Sequence, residues 1–117
     1  MKYTQFLQYP IRIAGINDSY DSELTAIETS VKNEIAYSGV AADIESVLPY
    51  FVFFKFCENK SSEVTVKGET SAVSELTVAS HVTQVRAWNL GVEKLKSICT
   101  EKGTTAHRFY LSKIGWL

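Results

Sequence analysis

The chain has 117 residues, 45% of them hydrophobic and 21% charged, which fits one globular domain and argues against disorder. Twelve basic residues offset thirteen acidic ones, for a net charge of −1, and no block of like charge occurs. That balance gives no electrostatic handle for nucleic acid or an anionic membrane, and no apolar run reaches the roughly 20 residues a membrane span requires.

Residues 1–17 read as an extended arm with a helical turn near Thr4 to Gln8. Tyr9-Pro10 disfavours helix before the proline, Ile11-Arg-Ile13 alternates like a short strand, and Gly15 to Asp18 reads as a turn. The stretch contains no continuous apolar core of the kind a secretory signal has. The arm packs either on its own domain or on a neighbour.

The first helix is expected from about Ser22 to Tyr37. Leu24, Ile27, Val31 and Ile35 recur at steps of three and four, one face of a 3.6-residue period. Asp18, Ser19, Asp21 and Ser22 offer N-caps, and Gly39 is placed to end the helix in a left-handed conformation. The carboxylates at 18, 21, 23 and 28 are explained by capping and by the helix dipole rather than by acid–base chemistry.

Val47 to Phe54 is an uncharged apolar run, and Phe51, Phe53, Phe54 and Phe56 are four of the six phenylalanines. This concentration of aromatic area marks the core. Helical spacing on both sides of Pro49 favours a helix from Ala41 to about Asn59, kinked or freshly started at the proline, over a strand. Glu63-Val-Thr-Val-Lys67 then alternates polar and β-branched residues, Gly68 supplies a turn, and Thr70 to Val73 returns. The expectation is a small β-hairpin over 63–73, too poor in apolar residues to stand alone.

A long helix follows, from Thr77 or Ser80 to Lys102. Val78, Val82, Val85, Trp88, Val92, Leu95 and Cys99 form a near-heptad seam, and Gly91 marks a close crossing within it. Gly103 ends it, and Thr104 or Thr105 caps a last short helix over Ala106 to Ile114. The fold expected is mainly α, a small helical bundle with one inserted hairpin, in a single domain over 1–117.

No catalytic constellation stands out. His81 and His107 lack metal-ligand spacing, so no metal or cofactor is expected. Cys57 and Cys99 read as buried thiols, and a small enzyme using a Cys-His pair is the weakest of three functional readings. Arg108, Phe109, Tyr110 and Lys113 interleave basic and aromatic groups, better explained by an amphipathic last helix than by base stacking. Trp116, near the end of the sequence, either plugs its own core or anchors a partner.

In order, the chain presents Asp21-Ser-Glu-Leu-Thr-Ala-Ile27, Leu48-Pro-Tyr-Phe51, Val64-Thr-Val-Lys-Gly68 and Val85-Arg-Ala-Trp-Asn89. Over about residues 18 to 114 this order resembles small phage and prophage head–tail connector (adaptor) proteins, in particular those of Bacteroides-type phages. The arm is longer, and the last helix shorter, than that family's pattern. The resemblance implies a non-enzymatic virion structural protein, a subunit that self-assembles into a ring and docks to portal and tail proteins. It would reside in the bacterial host cytoplasm or the virion. It also implies that partner contacts fall on the hairpin, the arm and the C-terminal end, with Val64, Val66, Lys67, Arg108, Tyr110, Trp116 and Leu117 as candidates. A small protein-binding adaptor or regulatory module of a mobile element is the alternative.

Overall fold

The computed structural model describes residues 1–67 and 80–115. Three α-helices carry the fold: α1 (Asp21–Ile35), α2 (Leu48–Lys67) and α3 (His81–Lys102). Short 3-10 turns occupy Tyr3–Phe6, Asp18–Tyr20, Ala41–Ile44 and Arg108–Leu111. Among the described residues the chain is mainly helical and contains no strand.

The aromatic run builds the centre. Val47, Leu48, Phe51, Val52, Phe53, Phe56 and Cys57 are all buried, and α2 packs between α1 and α3. Phe51 lies edge-on to Trp88 of α3, with centroids 4.9 Å apart, and to Tyr110, 5.0 Å away. Such edge-to-face pairs each contribute about 0.5–1.5 kcal/mol beyond the burial itself. Pro49 stands at the start of α2, where its missing N–H has no partner to lose, so the chain begins a fresh helix there.

The helix does not stop at Asn59. Residues 63–67, expected to be the first hairpin strand, continue α2. No glycine or proline intervenes between Pro49 and Gly68, and propagating an existing helix adds a hydrogen bond for each residue fixed. That gain outweighs the weak, context-dependent strand preference of Val64, Thr65 and Val66. The return strand expected over 70–73 lies outside the described residues.

The ends of the other helices also differ from expectation in instructive ways. α1 ends at Ile35, and Ala36, not Gly39, adopts the left-handed conformation (φ 48°). Gly39 serves space instead: a Cβ there would stand 2.8 Å from the Tyr37 ring and 2.9 Å from Thr104 Cγ2. The cap ahead of α1 is Asn17, whose side chain accepts from the Ser19 amide at 2.9 Å. α3 takes the second of its two expected starts, with the Ser80 hydroxyl accepting from Thr83 N, and ends at left-handed Gly103. The last helix shrinks to the 3-10 turn Arg108–Leu111, capped by His107 rather than by a threonine.

Along the α3 seam, Val85, Trp88, Val92 and Leu95 are buried, Cys99 is half-buried and Val82 is exposed. Gly91 sits where α3 crosses α2, against Tyr50 and Phe51. Neither Cys57 nor Cys99 is in a disulfide.

The N-terminal arm packs on its own domain. Phe6, Ile11 and Ile13 are buried while Arg12 points outward, so the alternation read from the sequence holds without a strand forming. The carboxylates of α1 hold the arm and the neighbouring helix. Asp21 Oδ1 accepts from Tyr3 N at 2.8 Å, Glu28 pairs with the Met1 ammonium at 3.0 Å, and Glu23 pairs with Lys60 of α2 at 2.9 Å. Lys60 is 9% exposed and its ammonium also faces the Tyr20 and Phe56 rings, which offsets part of its desolvation. Among the described residues, no buried side-chain nitrogen or oxygen lacks a hydrogen-bond partner.

Candidate partner-docking face

One face of the molecule gathers α1, α2 and the C-terminal segment around Phe109. The turn Arg108–Leu111 presses its last aromatic inward: Tyr110 is 1% exposed and rests on Phe51 and Trp88. Phe109, one residue earlier, is thereby turned outward and is 52% exposed. Its ring still touches Trp88, with centroids 5.3 Å apart, and Lys55 Nζ lies 5.6 Å from its centroid.

The turn is fixed from three directions. The His107 amide donates to the Ile35 carbonyl at 2.7 Å, the Ser38 amide to the Thr105 carbonyl at 2.9 Å, and the Tyr110 hydroxyl donates to Glu34 Oε1 at 2.5 Å. Burial, then the adjoining Glu34 carboxylate, raises the Tyr110 hydroxyl well above the ordinary tyrosine range, so it stays protonated and donates. His107 Nδ1 accepts from the Phe109 amide, which assigns the ring proton to Nε2 when the ring is neutral.

Behind this turn, a hydroxyl network ties the C-terminal end of α3 to the turn before α2. Thr104 Oγ1 donates to the Tyr37 hydroxyl oxygen Oη, and the Tyr37 hydroxyl donates to Asp43 Oδ2, each at 3.0 Å. The Thr104 bond favours the phenolate, but burial and the Asp43 carboxylate together leave the Tyr37 hydroxyl raised.

Three adjoining depressions lie on this face, two of them against Phe109. One of about 290 Å³ is lined by Phe54, Trp88, Phe109 and the tail residues Ser112–Ile114, with Glu58 at its edge. A second, of about 220 Å³, runs between α1 and α2 past Val31, Glu34, Lys55 and Glu58. The third, about 290 Å³, lies against His107, Phe109, Tyr110 and Glu34. Shared residues make them one surface: Glu58 borders the first two, Glu34 the last two, and Phe109 the first and third. An exposed aromatic ring between these hollows, with charges around it, combines an apolar anchor with a polar rim.

The residues singled out from the sequence are dispersed. Arg108 is exposed beside Phe109, whereas Tyr110 is buried in the core of its own chain. Val64, Val66 and Lys67 belong to the last turns of α2, not to a hairpin. Trp116 and Leu117 lie outside the described residues. Phe109 is placed by the sequence only in a basic–aromatic stretch, not among the partner contacts, and Lys55 and Glu58 are not singled out by it. Within one turn the choice between Phe109 and Tyr110 as the buried ring depends on the turn's orientation, which local sequence does not encode. Cys57 is buried, His107 is exposed, and the described residues hold no group of three potential metal ligands. No helix among the described residues is long and apolar enough to cross a membrane.

Comparison with known proteins adds no relative: no family model matches the chain, and neither a curated protein nor a solved structure matches it.

Proposed function

We propose that this chain is a non-enzymatic structural subunit that works by self-association and by docking to larger virion proteins, in the manner of a phage or prophage head–tail connector. The observation that carries the docking half of this reading is the outward ring of Phe109 between adjoining apolar hollows. An aromatic anchor more than half exposed, on an otherwise well-satisfied helical core, is what a protein partner takes up. The connector setting, with a ring of copies between portal and tail and residence in the bacterial host cytoplasm or the virion, comes from the order of sequence motifs.

The experiment is to read the genes that neighbour its own, mix the purified chain with any portal and tail-tube proteins they encode, and image the mixture by electron microscopy. A ring of added density on the portal is the expected result, and it should be lost with Phe109→Glu while that variant's helical circular dichroism is unchanged. A portal left bare at high concentrations of the folded chain refutes the connector reading. If instead one subunit binds one non-virion partner, and Phe109→Glu abolishes that binding, the chain is a small adaptor of a mobile element.

A further inference from the structure

The last described segment is held to α3 by contacts unlike those of the core. Trp88 Nε1 donates to the Ser112 carbonyl at 3.0 Å. Two residues on, one side chain reads both backbone groups of Ile114: Asn89 Nδ2 donates to its carbonyl at 3.0 Å, and Asn89 Oδ1 accepts from its amide at 2.8 Å. Between them, Lys113 Nζ pairs with Glu93 Oε1 at 2.7 Å, one turn further along α3. That bond, and the charge of Lys113, hold the Glu93 carboxyl below its ordinary range. Ser112 is extended (φ −112°, ψ 121°), and Ser112, Lys113 and Gly115 are exposed. The segment is thus recognised through its backbone groups, one basic side chain and the half-buried Ile114, much as a peptide groove recognises a chain segment.

We propose that Trp88, Asn89 and Glu93 form a docking site for an extended segment, and that in assembly it takes Ser112–Ile114 of a second copy in exchange for the chain's own. The occupant follows from what the site already holds. A second copy's segment presents the same two carbonyls, the same amide and the same lysine, so every contact made within the subunit is remade between subunits. Exchange of an identical element costs few contacts, and only the higher effective concentration of the attached segment favours the closed form. The pivot is short and defined: Tyr110 stays buried as the anchor, Ser112 beyond it is extended, and Ser112 and Lys113 are exposed while Ile114 is half-buried. The biological setting of this exchange rests on the assembly reading above; its chemistry does not.

The test uses two full-length variants. Lys113→Glu/Ile114→Pro spoils the segment, removing the amide and reversing the charge, but leaves the site intact. Asn89→Ala spoils the site but leaves the segment intact. Each alone should elute as a monomer, and the mixture should give a one-to-one heterodimer at twice the mass, because one variant's intact site meets the other's intact segment. Two folded monomers that never combine up to millimolar concentration overturn the proposal. If Asn89→Ala melts early, Asn89→Asp, which keeps the size and loses the donor, takes its place with the same expectation. A heterodimer together with a bare portal leaves exchange standing and removes the connector reading. A portal ring in which Lys113→Glu/Ile114→Pro assembles as well as the unmodified chain removes exchange and leaves the connector reading.

Discussion

Gly91→Ala sets two effects of opposite sign against each other, and the geometry of the α2–α3 crossing decides between them. In an isolated helix the change is favourable by about 1 kcal/mol, because alanine loses less backbone entropy. Here the new methyl would stand 2.9 Å from Tyr50 Cβ and 3.0 Å from Phe51 Cε1. Carbon atoms prefer roughly 3.5–4.0 Å, so the helices must part by more than half an ångström. Tyr50 Cβ cannot yield alone, since it is fixed to the α2 backbone. Overpacking of this kind costs about 1–3 kcal/mol, and parting the helices also weakens the Phe51–Trp88 pair, itself worth about 0.5–1.5 kcal/mol. The expected net result is a loss of about 1–2 kcal/mol, read as a lower urea midpoint with an unchanged slope. Gly115→Ala, where a Cβ meets nothing within 4 Å, is the matched control and should leave the midpoint where it is. An unchanged or raised midpoint for Gly91→Ala would refute the close crossing.

Two further outcomes are expected. Phe51→Ala should cost about 3–5 kcal/mol, since its ring is fully buried against Trp88 and Tyr110, while Phe54→Ala, a half-buried groove wall, should cost roughly half that; equal losses in urea melts would place the core wrongly. Tyr110 has a folded-state pKa above its unfolded value of about 10, so its contribution is complete below that pH and is lost as pH rises further. Thermal melts should therefore fall above pH 10, and Tyr110→Phe, less stable at neutral pH for leaving Glu34 without its donor, should show a shallower alkaline decline.

Much of the architecture was legible because it depends on period and on local chemistry. The three- and four-residue steps from Leu24 to Ile35 and from Val85 to Leu95 place apolar faces without reference to the rest of the chain. The Ser80 cap and the left-handed Gly103 likewise depend on a few neighbouring residues. Pro49 marked a break, as a kink or as a fresh start, and the packed fold chose the start; Gly91 marked a crossing because one steric property admits few alternatives.

What local chemistry left open was decided by competition over distance. The β-branched Val64-Thr-Val66 prefers a strand by itself, yet it is helical because α2 reaches it with no breaker in between and each added residue gains a hydrogen bond. Asp21, Glu23 and Glu28 read as capping charges; tertiary folding gave them the arm and Lys60 as partners. The candidate face around Phe109 depends on distance most of all. Arg108-Phe-Tyr110 could have turned either ring to solvent, and the outcome followed from the Glu34 carboxylate that captures the Tyr110 hydroxyl, 76 residues away in sequence. Periodicity along a helix is a property of neighbours, so the sequence carries it openly. Which of two adjacent rings is buried is a property of the cavity that receives it, and that cavity exists only once the helices have packed.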